Sequence, residues 1–220
     1  IWNDVADTER YALCRTDREQ NNHQTDMQLV DLHTTFINRH SVNEDIKHGV
    51  SVDIMPFEGC PESKIARGLQ IYHSIMYSVF NVQRLPDHQG KALRFVTKLV
   101  LGAVKNPDRR YKIWRRHEKK MAKYDFDSSK TVKETITSFR ALFFPYPREY
   151  FETKEVPFED ITIPIPVGAD QYLRRIFGDY MKWPDEEHRT VKHDIVYMNL
   201  DEPFTKYKGI YYCTDKNESR

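Results

Sequence analysis

Residues 49–58 read Gly49-Val50-Ser51-Val52-Asp53-Ile54-Met55-Pro56-Phe57-Glu58. Val50, Val52 and Ile54 alternate with Ser51, Asp53 and Met55, and a period of two is the signature of a β-strand. One face of this strand is aliphatic, and the other carries a carboxylate at its middle. Pro56 ends the pairing, because it has no amide hydrogen and a fixed φ. Asp is depleted in strand interiors, and a carboxylate beside a packed sheet is costly unless paired or metal-bound. Two readings of Asp53 therefore stand side by side: a salt bridge to a nearby Lys or Arg, or membership of a functional site. A guanidinium or ammonium partner, with the side chain facing away from any cavity, would leave only the first.

Upstream of this strand, Tyr11-Ala12-Leu13 and Leu32–Asn38 are β-prone, residues 15–28 read as a polar loop, and residues 39–48 as a charged turn. Downstream, the period changes. Ile65, Leu69, Tyr72, Ile75, Met76, Val79 and Phe80 recur at helical spacing. A second helix places Ala92, Leu93, Val96, Leu99, Val100 and Ala103 on one face, and Asn106-Pro107 stops it. A third runs from about Arg109 to Tyr124, and Lys105, Arg109, Arg110, Lys112, Arg115, Arg116, Lys119 and Lys120 make a basic outer face, open to two readings: a solvated helix face, which the balancing acids favour, or contact with an anionic partner. From Thr131 the pattern is strand-like again. Phe158–Pro166 reads as an extended segment at an edge or hairpin, because its prolines cannot donate. Gly168–Phe177 reads as a short helix closed by Gly178 at C′. Pro184 opens a further helical turn with acids in its first positions.

The bulk numbers bound the function. With 34 basic and 33 acidic side chains, the chain of 220 residues has a net charge of +1, so no global field draws in nucleic acid. Cys14, Cys60 and Cys213 are isolated, with no CxxC spacing, which fits a reducing compartment and gives no structural zinc signature. His33, His40, His48 and His73 have no metal-ligand spacing, and Gly59 and Gly68 form no phosphate-cradling loop. No signal peptide is visible. The longest apolar run, Leu99–Val104, is far too short to span a bilayer.

Three blocks carry a family resemblance. The first is Thr34-Thr35-Phe36 through His48-Gly-Val-Ser-Val-Asp53-Ile-Met-Pro56. The second is Pro147-Arg-Glu-Tyr-Phe151 with Phe158-Glu159 and Ile163-Pro-Ile-Pro166. The third is Tyr172-Leu-Arg-Arg-Ile-Phe-Gly-Asp-Tyr-Met181 with Pro184, Arg189 and His193. In this order, over roughly residues 30 to 195, they resemble the LicD family, which includes bacterial phosphocholine-transferase and fukutin-related proteins. The resemblance implies an α+β fold: a nucleotidyltransferase-like mixed sheet with flanking helices and an inserted helical subdomain. Residues 1–60 would be part of the sheet core, 61–127 the helical subdomain, and 128–220 the C-terminal part of the core.

The resemblance also implies a metal-dependent phosphotransferase. It would move phosphocholine, or another phospho-alcohol, from CDP-choline or a similar CDP-activated donor to a cell-surface glycan or teichoic acid precursor. A lipid-linked acceptor would bring the enzyme to the cytoplasmic face of the membrane by peripheral contact. Mg²⁺ (or Mn²⁺) would offset charge on the diphosphate. The family's Asp-rich metal motif lies upstream of its Asp53-like strand. Asp4, Asp7 and Asp17 do not match it, so the chain is expected to begin just downstream of that motif and to be inactive alone.

Asp53 would then belong to the metal set or accept a proton from the acceptor hydroxyl. Arg189 and His193, four apart on a helix, would face one way, Arg189 clamping phosphate and His193 acting in catalysis. Asp179 and Tyr180 would line the donor pocket, with Tyr172 and Arg174 beside them, and Glu159 would meet an acceptor hydroxyl. The alternative is a non-catalytic glycan- or protein-binding domain.

Overall fold

The computed structural model describes residues 6–85, 91–136, 141–189 and 194–214. The order of elements is β1 (Tyr11–Cys14), β2 (Met27–Asp31), β3 (Thr35–Asn38), β4 (Val50–Ile54), β5 (Phe57–Gly59), α1 (Lys64–Val82), α2 (Lys91–Ala103), α3 (Pro107–Met121), β6 (Thr131–Glu134), β7 (Tyr146–Pro147), β8 (Thr153–Phe158), β9 (Ile161–Pro166), α4 (Ala169–Phe177) and β10 (Ile195–Asn199). The protein is thus mixed α+β, with small antiparallel sheets β1-β2-β4, β10-β3, β5-β6-β7 and β8-β9. Its described residues fall into two compact units, cut differently from the three consecutive segments read from the sequence. The first takes residues 6–55, 78–85, 91–114 and 194–214; the second takes 56–77, 115–136 and 141–189.

In the first unit, β4 pairs with β2 alone and forms a sheet edge. The register stacks Leu13, Leu29 and Val52 across one face and Cys14, Gln28 and Asp53 across the other. All five residues of β4 are exposed, Asp53 included, with Val52 65% exposed, whereas Val30 of β2 is 1% exposed. The stretch 15–28 is not wholly loop, since β2 begins at Met27. Its five residues mix Gln28 and Asp31 with three apolar side chains, so no clean alternation announces it.

A second sheet joins β3 to β10, with Tyr197 opposite Ile37. Ile37, Phe204 and Tyr212 form the buried cluster beneath it, walled by Leu32, Val42 and Tyr197. Asn106, read as a helix stop, is the N-cap of α3: its Oδ1 accepts the Arg109 amide at 2.9 Å, with Pro107 first in the helix. Arg110 is not on the outer face of α3. Its guanidinium donates to the carbonyls of Leu101 (2.9 Å) and Val104 (2.6 Å) and to Gln83 Oε1 (2.8 Å). A cation there satisfies carbonyls at the C-terminal end of α2 that have no intrahelical donor.

In the second unit, β5 and β6 set Glu58 opposite Lys133 and Phe57 opposite Glu134. Phe57 packs on Phe151 with ring centroids 4.4 Å apart, and Tyr146 on Tyr172 at 5.0 Å. Buried Gln70 donates to the carbonyls of Gly59 (2.9 Å) and Met121 (3.0 Å), tying α1 to the sheet and to the end of α3. The proline-rich segment is a full hairpin: β8 and β9 pair from Thr153–Pro166 to Phe158–Ile161 around a two-residue turn. Gly178 closes α4 with φ +71°, its amide donating to Arg174 O at 2.9 Å, as the sequence suggests.

Candidate functional site

The antiparallel register of β2 and β4 decides what Asp53 meets. Gln28 lies directly opposite, and its Nε2 donates to Asp53 Oδ1 at 2.8 Å. The carboxylate is steadied by a neutral amide, and that contact leaves its charge uncompensated. The side chain lines a cavity of about 400 Å³ together with Gln28, Asn38, His40, Lys47 and His48. Both conditions that would have ended the functional reading of Asp53 are therefore unmet.

One further oxygen lines this cavity, and one further carboxylate senses the charge of Asp53. Asn38, at the end of β3, lines the same cavity, and its Oδ1 is buried with no hydrogen-bond donor among the described residues. Such an atom usually costs free energy unless a water, a ligand hydroxyl or a cation meets it. Asp26 stands just before β2. Burial pushes its carboxyl above the ordinary carboxylate range, and the negative charge of Asp53 pushes it further the same way. Asp26 and Asp53 thus sense each other as like charges, an arrangement that a shared cation relieves.

One wall of the cavity is rigid. The His48 ring packs 4.3 Å from Tyr212, and its Nε2 donates to Glu44 O at 2.9 Å, since a carbonyl can only accept. Burial lowers the His48 pKa, favouring the neutral ring. Glu44 is itself fixed by Arg84, whose Nε donates at 2.7 Å. Lys47 and His40 give the cavity cationic or protonatable groups, while Asp53 and Asn38 line it with hard oxygen donors; Asp26 is not one of its lining residues but senses the charge of Asp53. Among the described residues there is no cluster of three or more His, Cys, Asp or Glu suited to a metal. Mg²⁺ in phosphoryl-transfer sites commonly uses one or two carboxylates and completes its shell with phosphate oxygens and water, so this donor set fits that ion.

The other residues read from the sequence lie in the second unit, with one exception. His193 lies outside the described residues, so its pairing with Arg189 on a helix face is not described. Among the described residues before it, Glu186–His188 form a 3₁₀ turn. Arg189 donates to Pro184 O at 2.6 Å and lies 6.0 Å from the Trp183 ring. Arg174 and Tyr180 do come together, but around Asp170: Arg174 Nε donates to it at 2.9 Å and Tyr180 OH at 2.9 Å. That is an exposed helix-surface network, adequately explained by i,i+4 pairing.

Tyr172 donates its hydroxyl to Glu134 within the aromatic cluster of the second unit. Burial and the Glu134 carboxylate raise its pKa, and its ring packs on Tyr146. Glu159 is the first residue of the β8–β9 turn, with φ +52°, which explains its position without a ligand. Asp179 is exposed just past α4. Asp7 and Asp17 each accept two backbone amides in tight turns, Glu9 and Arg10 for Asp7, Glu19 and Gln20 for Asp17.

Asp26 and Asn38 escaped the sequence reading. Asp26 falls in the stretch read as loop, and Asn38 at a strand end looks like any turn residue. Recognising Met27–Asp31 as a strand would have set residues 26 and 28 on the Asp53 face. No protein-family model, no curated protein and no solved structure matches the chain.

Proposed function

We propose that this chain is part of a metal-dependent phosphotransferase of the LicD type. It transfers phosphocholine or another phospho-alcohol from a CDP-activated donor to a glycan acceptor. One observation carries the reading: Asp53 faces a cavity, held by an amide rather than by a cation, beside a second carboxylate. The family resemblance of the strand that bears it supports the choice of chemistry.

Asp53 and Asp26 would hold Mg²⁺, with the Asn38 carbonyl oxygen as a further hard ligand. When bound, the ion would offset charge on the donor diphosphate. Gln28 orients the Asp53 carboxylate through its Oδ1, leaving the other oxygen for the ion or for the proton of an acceptor hydroxyl. Lys47, on the same cavity wall, is placed to attract phosphate oxygens.

Mn²⁺ binding followed by electron paramagnetic resonance tests this without requiring turnover. Asp53→Asn should weaken Mn²⁺ binding about tenfold or more, the scale seen when a group supporting a metal is lost. Wherever Mg²⁺-dependent release of CMP from CDP-choline is measurable, the same change should slow it by about 100-fold. Equal Mn²⁺ binding by the parent and the variant would remove the metal role and leave the alternative, a non-catalytic glycan- or protein-binding domain.

A further inference from the structure

The outward face of α2 joins two properties that rarely share a helix surface by accident. Phe95 (62% exposed), Val96 (53%) and Leu99 (58%) stand in solvent, whereas Thr97 (3%) and Leu101 (8%) face the interior. Phe95 and Leu99 are i,i+4 neighbours, and Val96 and Leu99 are i,i+3 neighbours, so the three form one apolar stripe. The same stripe is bordered by cations. Lys91 precedes Phe95 by four residues and Lys98 follows it by three, so both lie along its flank.

The charge bias is local. From Lys91 to Lys112 the chain carries seven cations (Lys91, Arg94, Lys98, Lys105, Arg109, Arg110, Lys112) and one carboxylate, Asp108, in a protein whose 34 basic and 33 acidic residues nearly balance as a whole. Arg110 caps α2 and Asp108 pairs with Arg18, so those two charges are used within the fold.

We infer that α2 is a membrane-docking helix, lying in the headgroup region of an anionic bilayer. The apolar stripe enters the boundary with the acyl chains while Lys91 and Lys98 extend to phosphate groups at the waterline. Charge complementarity selects this occupant. A second copy apposed by two-fold symmetry would set this cationic strip against itself. Nucleic acid would meet a face whose centre is aliphatic and aromatic rather than hydrogen-bonding. At 13 residues α2 is too short to cross a bilayer, and no described helix is long and apolar enough to do so. The helix therefore lies on the surface. This inference is independent of the role of Asp53, since vesicle binding needs neither metal nor nucleotide.

Sedimentation with vesicles tests it, using phosphatidylcholine alone and phosphatidylcholine with one-third phosphatidylglycerol. The protein should bind the anionic vesicles, less so the neutral ones, and release as salt rises. A Phe95→Asp/Leu99→Asp double variant should lose binding to anionic vesicles about tenfold or more. A Lys91→Gln/Lys98→Gln variant should lose about fivefold per cation on anionic vesicles alone. All four side chains are exposed, and unchanged far-UV circular dichroism verifies that each variant folds. Three results would overturn the inference: no binding to anionic vesicles at low salt, binding that survives the Asp variant, or a dimer dissociated by that variant with no vesicle affinity. Asp53→Asn should leave vesicle binding unchanged, so the two readings fail separately.

Discussion

Replacing Glu58 by Gln should change how the protein's stability depends on pH. Glu58 lies in β5, opposite Lys133 of β6, and accepts a hydrogen bond from Thr135. Burial is the main cause that raises its carboxyl from the ordinary 4.5 to about 7; Glu118 adds to the rise, while Thr135 and Lys133 oppose it. A raised folded-state pKa means that the native protein holds this proton more tightly than the unfolded chain. The associated stability is complete below the unfolded value of 4.5 and is lost as pH rises through about 7. The full shift would correspond to about 3 kcal/mol, and residual contact with water reduces this to about 2 kcal/mol.

The Gln variant keeps an acceptor for Thr135 and removes the charge. Urea unfolding of both proteins at pH 5 and pH 8.5, followed by far-UV circular dichroism, isolates the effect as a difference of differences. The burial-lowered imidazoles of His73 and His117 contribute with the opposite sign and cancel in that comparison. The variant should match the parent at pH 5 and exceed it by about 2 kcal/mol at pH 8.5. Parallel pH profiles would show that Glu58 ionises normally and would refute the argument.

Three other outcomes follow from single contacts. Arg110→Ala should cost about 2 kcal/mol in chemical denaturation, because the carbonyls of Leu101 and Val104 lose their charged donor. Gly49→Ala should cost about 1–3 kcal/mol in thermal unfolding, since an added Cβ would stand 2.1 Å from the Asp31 carbonyl oxygen and force β4 away from β2. Mn²⁺ affinity, read by electron paramagnetic resonance, should rise with pH as Asp26 gives up its tightly held proton, and Asp26→Asn should flatten that dependence.

The sequence carried the helices well, because Ile65 to Phe80 and Leu93 to Ala103 repeat at a period that no strand shares. It located β4 from Val50, Val52 and Ile54 but not its exposure on both faces, since periodicity reports two faces without saying whether either meets the core. β2 was hidden by its polar content, and with it went Asp26 and the amide that holds Asp53. Arg110 shows the same limit in another form. A cation on a basic helix looks solvated until the chain brings carbonyl groups to it from another helix. The turn that holds Glu159 and the hydroxyl bond that holds Tyr172 were not legible either, because turn geometry and core hydroxyl bonding have no signature in residue type alone.

The Thr35 hydroxyl donates to the carbonyl of Glu202 at 2.7 Å, bridging 167 residues of chain, beside the ladder that joins β3 to β10. A ribosome adding about 5–20 residues per second needs roughly ten to thirty seconds to cover that interval. Throughout it, Thr35–Asn38 is an emerged strand whose native partner has not yet been synthesised. The interval is a window for wrong pairing, and slower translation lengthens it. Chaperone demand during biosynthesis should therefore follow elongation rate, even for variants whose finished stability is unchanged.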